Sequence, residues 1–235
     1  MKFCSPACEV SSTSAGVTMS RFEGRGGTDE YHLLVQPVEG GTLEEQLAAM
    51  ESAYRDALGS AGLDASTVVL RRFFCSDLAN QARCLEQFPL SRLGEGPESR
   101  SVSWVGQAPA PPARISLWAY HVRDGRGWLE KRQDGTGVVL RRGGLTHHWT
   151  TGITSPEGPT SGEQTHGVFA RYDALLRSRG MTLADNVART WLFVRDIDAN
   201  YAGLVAARRA YFADHGLTPS THFIASSGIE GGHAD

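Results

Sequence analysis

The chain repeats itself. Shifting it by 118 residues lays Glu45-Gln46 on Glu163-Gln164, Tyr54 on Tyr172, Leu58 on Leu176, Gly62 on Gly180 and Arg71 on Arg189. Both segments share one grammar. In the first, Leu43, Leu47, Met50, Tyr54, Ala57, Leu58 and Ala61 recur every three to four residues, the stripe of an amphipathic helix. Thr42 with Glu45 forms a capping box, in which each side chain satisfies a free backbone N–H at the helix start. In the second, Val168, Phe169, Tyr172, Leu175 and Leu176 carry the stripe, and Ser161 with Gln164 is read as the box. Gly62 and Gly180 stand where a left-handed residue ends a helix.

Each helix is followed by an apolar run rich in β-branched and aromatic residues, Thr67 to Cys75 and Asn186 to Val194, the mark of a buried strand. A second helix is expected after each, over Leu78 to Phe88 and Asp198 to His215, then a strand over Ser101 to Gln107 and Thr221 to Ser226. Strands such as Tyr31 to Val35 and Leu145 to Ile153 are expected to precede each helix. The expectation is an α+β protein of two tandem units, 17–143 and 144–235, after a loosely ordered N-terminus over 1–16. Pro109, Pro111 and Pro112 mark a bend, and Gly24-Arg25-Gly26-Gly27 reads as a hairpin turn.

At 235 residues the chain buries about 70–75% of its unfolded surface and needs no disulfide staples. Its net charge of −3 offers no electrostatic reason to bind nucleic acid, and no apolar run is long enough to span a membrane. The N-terminus lacks the apolar stretch of a secretion signal. Cys4 and Cys8, and Cys75 and Cys84, are not spaced as zinc ligands, so reduced thiols in a cytoplasmic protein are expected, with no metal and no cofactor.

The stretch Asn186-Val187-Ala188-Arg189-Thr190-Trp191-Leu192-Phe193-Val194-Arg195-Asp196-Ile197-Asp198, after Gly180-Met181-Thr182-Leu183-Ala184-Asp185, resembles the Rid (YjgF, reactive intermediate deaminase) superfamily. Arg189-Thr190-Trp191, with Arg208 before Phe212, resembles its chorismatase branch. The resemblance covers 160–230 and, more faintly, 42–107. It implies two chorismate-mutase-like units, each a sheet with two helices on one face, usually assembled as trimers or pseudo-trimers. It also implies a homo-oligomer with clefts between units or subunits.

By the same resemblance the chain is expected to be a hydrolase or deaminase of a small carboxylated imine or enamine, its carboxylate held by arginine. One alternative is chorismatase-like hydrolysis of the enolpyruvyl ether of chorismate; another is a non-catalytic, structural or ligand-binding relative. Arg100 falls where the deaminases carry their carboxylate-binding arginine, whereas the second unit reads Pro219-Ser220-Thr221-His222 there. The family's glutamate-bearing last strand has no counterpart before Asp235, which makes a shortened relative or part of a longer protein the expectation.

The candidate substrate-binding residues are Arg100, Arg189 and Arg208, since a guanidinium fork binds a carboxylate at two points at any working pH. Arg100 reads equally as a surface arginine after a Gly/Pro-rich loop. Arg71 and Arg189, at equivalent strand starts, read as substrate ligands or as structural ion pairs with a carboxylate such as Asp185. His222 is the candidate proton shuttle, the other reading being a polar residue filling a strand. His147 and His148 are adjacent on a strand, so they point to opposite faces and do not chelate one metal together.

Overall fold

The computed structural model describes residues 8–11, 14–24, 27–92, 96–127, 129–142 and 144–233, and the protein is a mixed α+β chain of two compact units. One comprises the residues up to Thr151, with His233; the other is Gly152–Gly232.

The first unit is built on a six-stranded sheet of order β1-β2-β3-β6-β4-β5, from β1 (Cys8–Ser11), β2 (Ala15–Glu23), β3 (Thr28–Pro37), β4 (Val68–Cys75), β5 (Ser101–Gly106) and β6 (Ile115–Asp124). All neighbours are antiparallel except β4 and β5, which run parallel, Leu70 opposite Ser101, because helix α2 (Leu78–Gln87) carries the chain back between them. Helix α1 (Leu43–Ala61) buries Leu43, Leu47, Met50, Ala53, Tyr54, Ala57 and Leu58. They pack with Ala15 and Val17 of β2, Leu33 and Val35 of β3, Phe73 of β4 and Leu117 of β6. Thr42 and Glu45 form the expected capping box, and Gly62 ends the helix at φ 64°.

The opposite face of that sheet is partly covered by a second, three-stranded sheet, β7 (Glu130–Asp134), β8 (Gly137–Arg142) and β9 (Leu145–Trp149), whose Val138 and Leu140 pack on Val69, Leu70, Tyr120 and Val122. The strand expected over Leu145 to Ile153 is therefore shorter and belongs to the first unit. It is β9, paired with the adjacent β8 because a tight turn at Gly144 (φ 83°) brings them together. The Gly24–Gly27 segment joins β2 to β3 as a hairpin connection, its Arg25 and Gly26 lying outside the described residues. Of the N-terminal stretch, 1–7 and 12–13 lie outside them too; Cys8–Ser11 pairs with β2.

The second unit holds α3 (Ser161–Ser178), a single turn α4 (Leu183–Asn186), β10 (Arg189–Val194), α5 (Ile197–Asp214) and β11 (Ala225–Glu230). Its ladder is the parallel pair β10–β11. Phe169 of α3 packs against Tyr211 and Phe212 of α5 at 5.6 and 5.2 Å between ring centres, over Leu183, Val187 and Leu192. The capping box of α3 is Thr160 with Glu163, one residue earlier than Ser161 with Gln164, and thus 118 residues after Thr42 and Glu45. Gly180 follows in the left-handed region at φ 70°. Strand β11 starts four residues later than expected, because Thr218 to Thr221 is tied into a turn: Thr221 Oγ1 donates to Gly216 O at 2.6 Å and accepts from Thr218 N at 2.9 Å. Among the described residues no helix is long and apolar enough to cross a membrane.

Candidate functional site

In the first unit Arg100 is 4% exposed. Its guanidinium donates to three backbone carbonyls, Glu98 O at 2.9 Å, Pro89 O at 3.2 Å and Arg92 O, while Nε is buried without a hydrogen-bond partner. Burial, then the neighbouring Arg71, pushes its pKa down to about 10. A fork spent on carbonyls is an internal clamp for the 88–100 segment, so Arg100 is neither a surface arginine nor a fork open to a substrate. Arg71 is likewise buried on β4, donating to Leu90 O at 3.1 Å and to Tyr54 Oη at 3.4 Å, with its guanidinium 5.1 Å from the centre of the Tyr54 ring. The anionic partner expected for it is replaced by a carbonyl and a π face.

Tyr54 leads into a chain of hydrogen bonds that the sequence reading missed. The Tyr54 hydroxyl lies 2.5 Å from His121 Nε2, and His121 Nδ1 lies 2.8 Å from Thr67 Oγ1, whose own proton goes to Asp64 O at 2.8 Å. Thr67 therefore accepts from Nδ1–H, leaving Nε2 to accept from Tyr54, which itself accepts from Arg71. One neutral tautomer satisfies every link. Burial, then the charges of Arg71 and Lys131, holds the His121 pKa well below its ordinary value. Lys131, on β7, adds its amine to this region, donating to Val68 O at 2.6 Å and Ala65 O at 3.5 Å. The one available sequence signal was scarcity: only Lys2 and Lys131 among 23 basic residues are lysines.

The three remaining candidates, Arg189, Arg208 and His222, all belong to the second unit. Arg189 opens β10, opposite Ala225. Its side chain is exposed; Nη2 donates to Ser227 Oγ at 2.9 Å and the guanidinium lies 4.8 Å from the centre of the Trp191 ring. It makes no ion pair among the described residues; Asp185, its expected partner, instead accepts from the Thr182 hydroxyl and is not joined to it. Arg208, from α5, donates to Ser226 Oγ at 3.1 Å, as does Thr190 Oγ1 at 2.9 Å. Because Ser226 and Ser227 are consecutive on a strand, Arg208 and Arg189 lie on opposite faces of the ladder, Arg208 on the helix side.

His222 is exposed in the loop before β11, not on a strand. Its Nε2 lies 2.9 Å from Ala184 O, which only accepts, so Nε2 carries a proton; in the neutral ring the lone pair is then on Nδ1. Ala184 also lines a cleft of about 270 Å³ with Asp173, Arg177, Thr182, Leu183, Asp185 and His215. Asp173 there pairs with Arg177 at 2.6 Å and faces His215 Nε2 at 3.6 Å. Among the described residues no three His, Cys, Asp or Glu are grouped to hold a metal ion. His147 is exposed on β9, and His148 Nδ1 is 4.0 Å from Asp134. Cys75 is buried, its thiol pushed up to about 12 by burial, and Cys84 is free and half-buried; Cys4 lies outside the described residues.

No protein-family model and no curated protein matches the sequence. Solved structures do. A chorismatase shares 11% identity at a TM-score of 0.50, the match covering 98% of this chain and 75% of that one. An uncharacterized protein from Pseudomonas aeruginosa shares 18% identity at a TM-score of 0.35, over 45% of this chain and 99% of that one. A candidate translation initiation inhibitor from Salmonella typhimurium shares 14% at 0.29, over 45% and 97%. The chorismatase match is a likeness of fold, and it runs along nearly the whole chain.

Proposed function

We propose that the chain is a Rid-like hydrolase of a small carboxylated imine or enamine, and that its carboxylate clamp is Arg189. The observation that carries this is the state of that guanidinium: exposed, 4.8 Å from the centre of the Trp191 ring, tethered through one nitrogen to Ser227, and without an ion pair among the described residues. A cation positioned by stacking loses little further freedom on meeting a carboxylate. Arg100, with its donors on three carbonyls, is assigned to folding instead.

Hydrolysis of a C=N bond needs water added to carbon and a proton delivered to nitrogen. His222, with Nε2–H fixed on Ala184 O, offers Nδ1 to take the proton from water and hand it to the leaving nitrogen. Arg208, on the opposite face, is assigned to packing Ser226 and Thr190. Self-association belongs to the same proposal, supported by the uncovered part of the first unit's sheet, where Leu34 is 45% exposed beside His32 and Trp118. The chorismatase-like fold supports a second reading, hydrolysis of an enolpyruvyl ether at the same arginine.

The test follows ammonia release from an α-imino acid generated in situ by an amino-acid oxidase, and pyruvate release from chorismate. The wild type should accelerate one of them, and Arg189→Ala should lower that rate at least about tenfold, the loss of one charge-assisted pair. Acceleration of neither, or full activity in Arg189→Ala, overturns the assignment.

A further inference from the structure

The cleft beside Asp173 has no part in the proposed hydrolysis. Its walls come from the second unit alone: Asp173 and Arg177 of α3, Thr182 to Asp185 around α4, and His215 at the end of α5. At about 270 Å³ it is smaller than the usual site for a drug-sized ligand and suits a molecule of a few heavy atoms. Asp173 is 6% exposed, and both of its ion-pair contacts among the described residues fall on Oδ2, from Arg177 Nη2 at 2.6 Å and His215 Nε2 at 3.6 Å. The second contact is too long for a hydrogen bond. His215 Nδ1 lies 2.7 Å from Tyr211 O, which only accepts, so that nitrogen carries a proton. In the neutral ring Nε2 then turns its lone pair to a carboxylate oxygen, and stacking on Tyr211, 4.2 Å between centres, holds the ring in that pose. Two acceptors thus face each other across a gap that a donor would fill. Arg177, with 69% of its side chain exposed, has only Nη2 engaged among the described residues and keeps the rest of its fork open.

We propose that this cleft binds a small α-amino acid, its ammonium set between Asp173 and His215 Nε2 and its carboxylate on Arg177. A buried carboxylate short of a donor and an accessible guanidinium stand in contact there. The two charges of an α-amino acid are equally close, because one carbon carries both. An anion alone would meet Asp173 and Asp185, and an amine alone would leave the arginine fork unused. A metal ion fits less well, since no three His, Cys, Asp or Glu among the described residues are grouped to hold one. The Thr182 hydroxyl is spent on Asp185, which leaves Leu183 and Ala184 to face the ligand's side chain. That selects a small apolar one. The inference is independent of the assignment of Arg189.

Titration of the whole isotope-labelled chain with L-alanine tests this, followed by NMR at the Leu183 to Asp185 amides and the His215 ring. Those signals should shift and saturate. Propionate and ethylamine, which each lack one of the two charges, should need at least about tenfold higher concentration. Asp173→Asn should raise the alanine Kd at least about tenfold. Arg177→Gln, an exposed change that keeps the test valid if Asp173→Asn does not fold, should bind alanine no better than ethylamine. Shifts elsewhere only, alanine binding no tighter than propionate or ethylamine in the wild type, or an unchanged alanine Kd in Arg177→Gln overturns the proposal.

Discussion

Tyr54 on α1 and His121 on β6 are joined by a 2.5 Å hydrogen bond in the middle of the first unit's core, 67 residues apart in sequence. The bond ties the helix layer to the sheet and fixes the histidine tautomer. Tyr54→Phe removes the donor to His121 Nε2 and the acceptor for Arg71 Nε at once, leaving two buried polar atoms stranded. The expected loss is about 2–4 kcal/mol in urea unfolding, roughly one desolvation penalty for each group. A loss below about 0.5 kcal/mol would show that the chain of bonds contributes nothing to the fold.

The two arginines read alike from sequence should part company when replaced. Arg100→Ala leaves the carbonyls of Glu98, Pro89 and Arg92 without their donor and opens a void, at a cost of about 3 kcal/mol. Arg189→Ala, at an exposed position, should stay within about 0.5 kcal/mol of the wild type. Equal losses from the two would undo the division between a folding arginine and a ligand arginine.

That division marks where sequence reading stops. The repeat placed α1 and α3: Thr42 with Glu45 and, one residue before the pair read from the sequence, Thr160 with Glu163 are capping boxes at the same spacing, and Gly62 and Gly180 both take positive φ. Caps and stripes are local, so they are written within a few residues of where they act. Arg71 and Arg189 are aligned by the same shift, yet one meets Tyr54 and a carbonyl of the 88–100 segment and the other lies open on Trp191. The partner of a cation is chosen by segments far away in the chain, and residue periodicity carries no record of them. His222 was misplaced onto a strand for a related reason. The threonine hydroxyls of 218–221 compete with the ladder for backbone groups, and the apolar pattern does not reveal that competition.

The pH dependence of stability should have two separate limbs. For His121 the folded pKa lies well below the ordinary 6.5, so the unfolded chain binds more protons just below pH 6.5 and stability falls as pH falls through that window. For Lys131 the unfolded amine titrates near 10.5 and the folded one at about 7. Between those values the unfolded chain again holds the extra proton, so the Lys131 contribution to stability rises with pH, and it is read between about 7 and 9, below the range where the raised Cys75 thiol acts in the opposite direction. Lys131→Met should flatten the alkaline limb and leave the acid limb in place. An alkaline limb that survives the substitution would mean another group produces it.

The start of α5 should prove sensitive at a residue that is not in the helix. Asp196, its N-cap, sits at φ 51° with no side-chain capping bond, and the free N–H groups of Asp196 and Ile197 donate instead to Glu230 on β11, at 3.1 and 2.7 Å. A carboxylate there also faces the positive end of an 18-residue helix. Glu230→Ala should cost about 1 kcal/mol, the usual worth of a lost N-cap, and Glu230→Gln less, since its amide oxygen still accepts. Asp196→Gly should move the other way or stay neutral, because glycine adopts the left-handed region without the Cβ clash. Thermal unfolding of the three variants reads both effects. If Glu230→Ala melts with the wild type, the helix is capped by solvent and the β11 carboxylate is incidental. If Asp196→Gly is the more destabilising change, the aspartate side chain itself holds the turn.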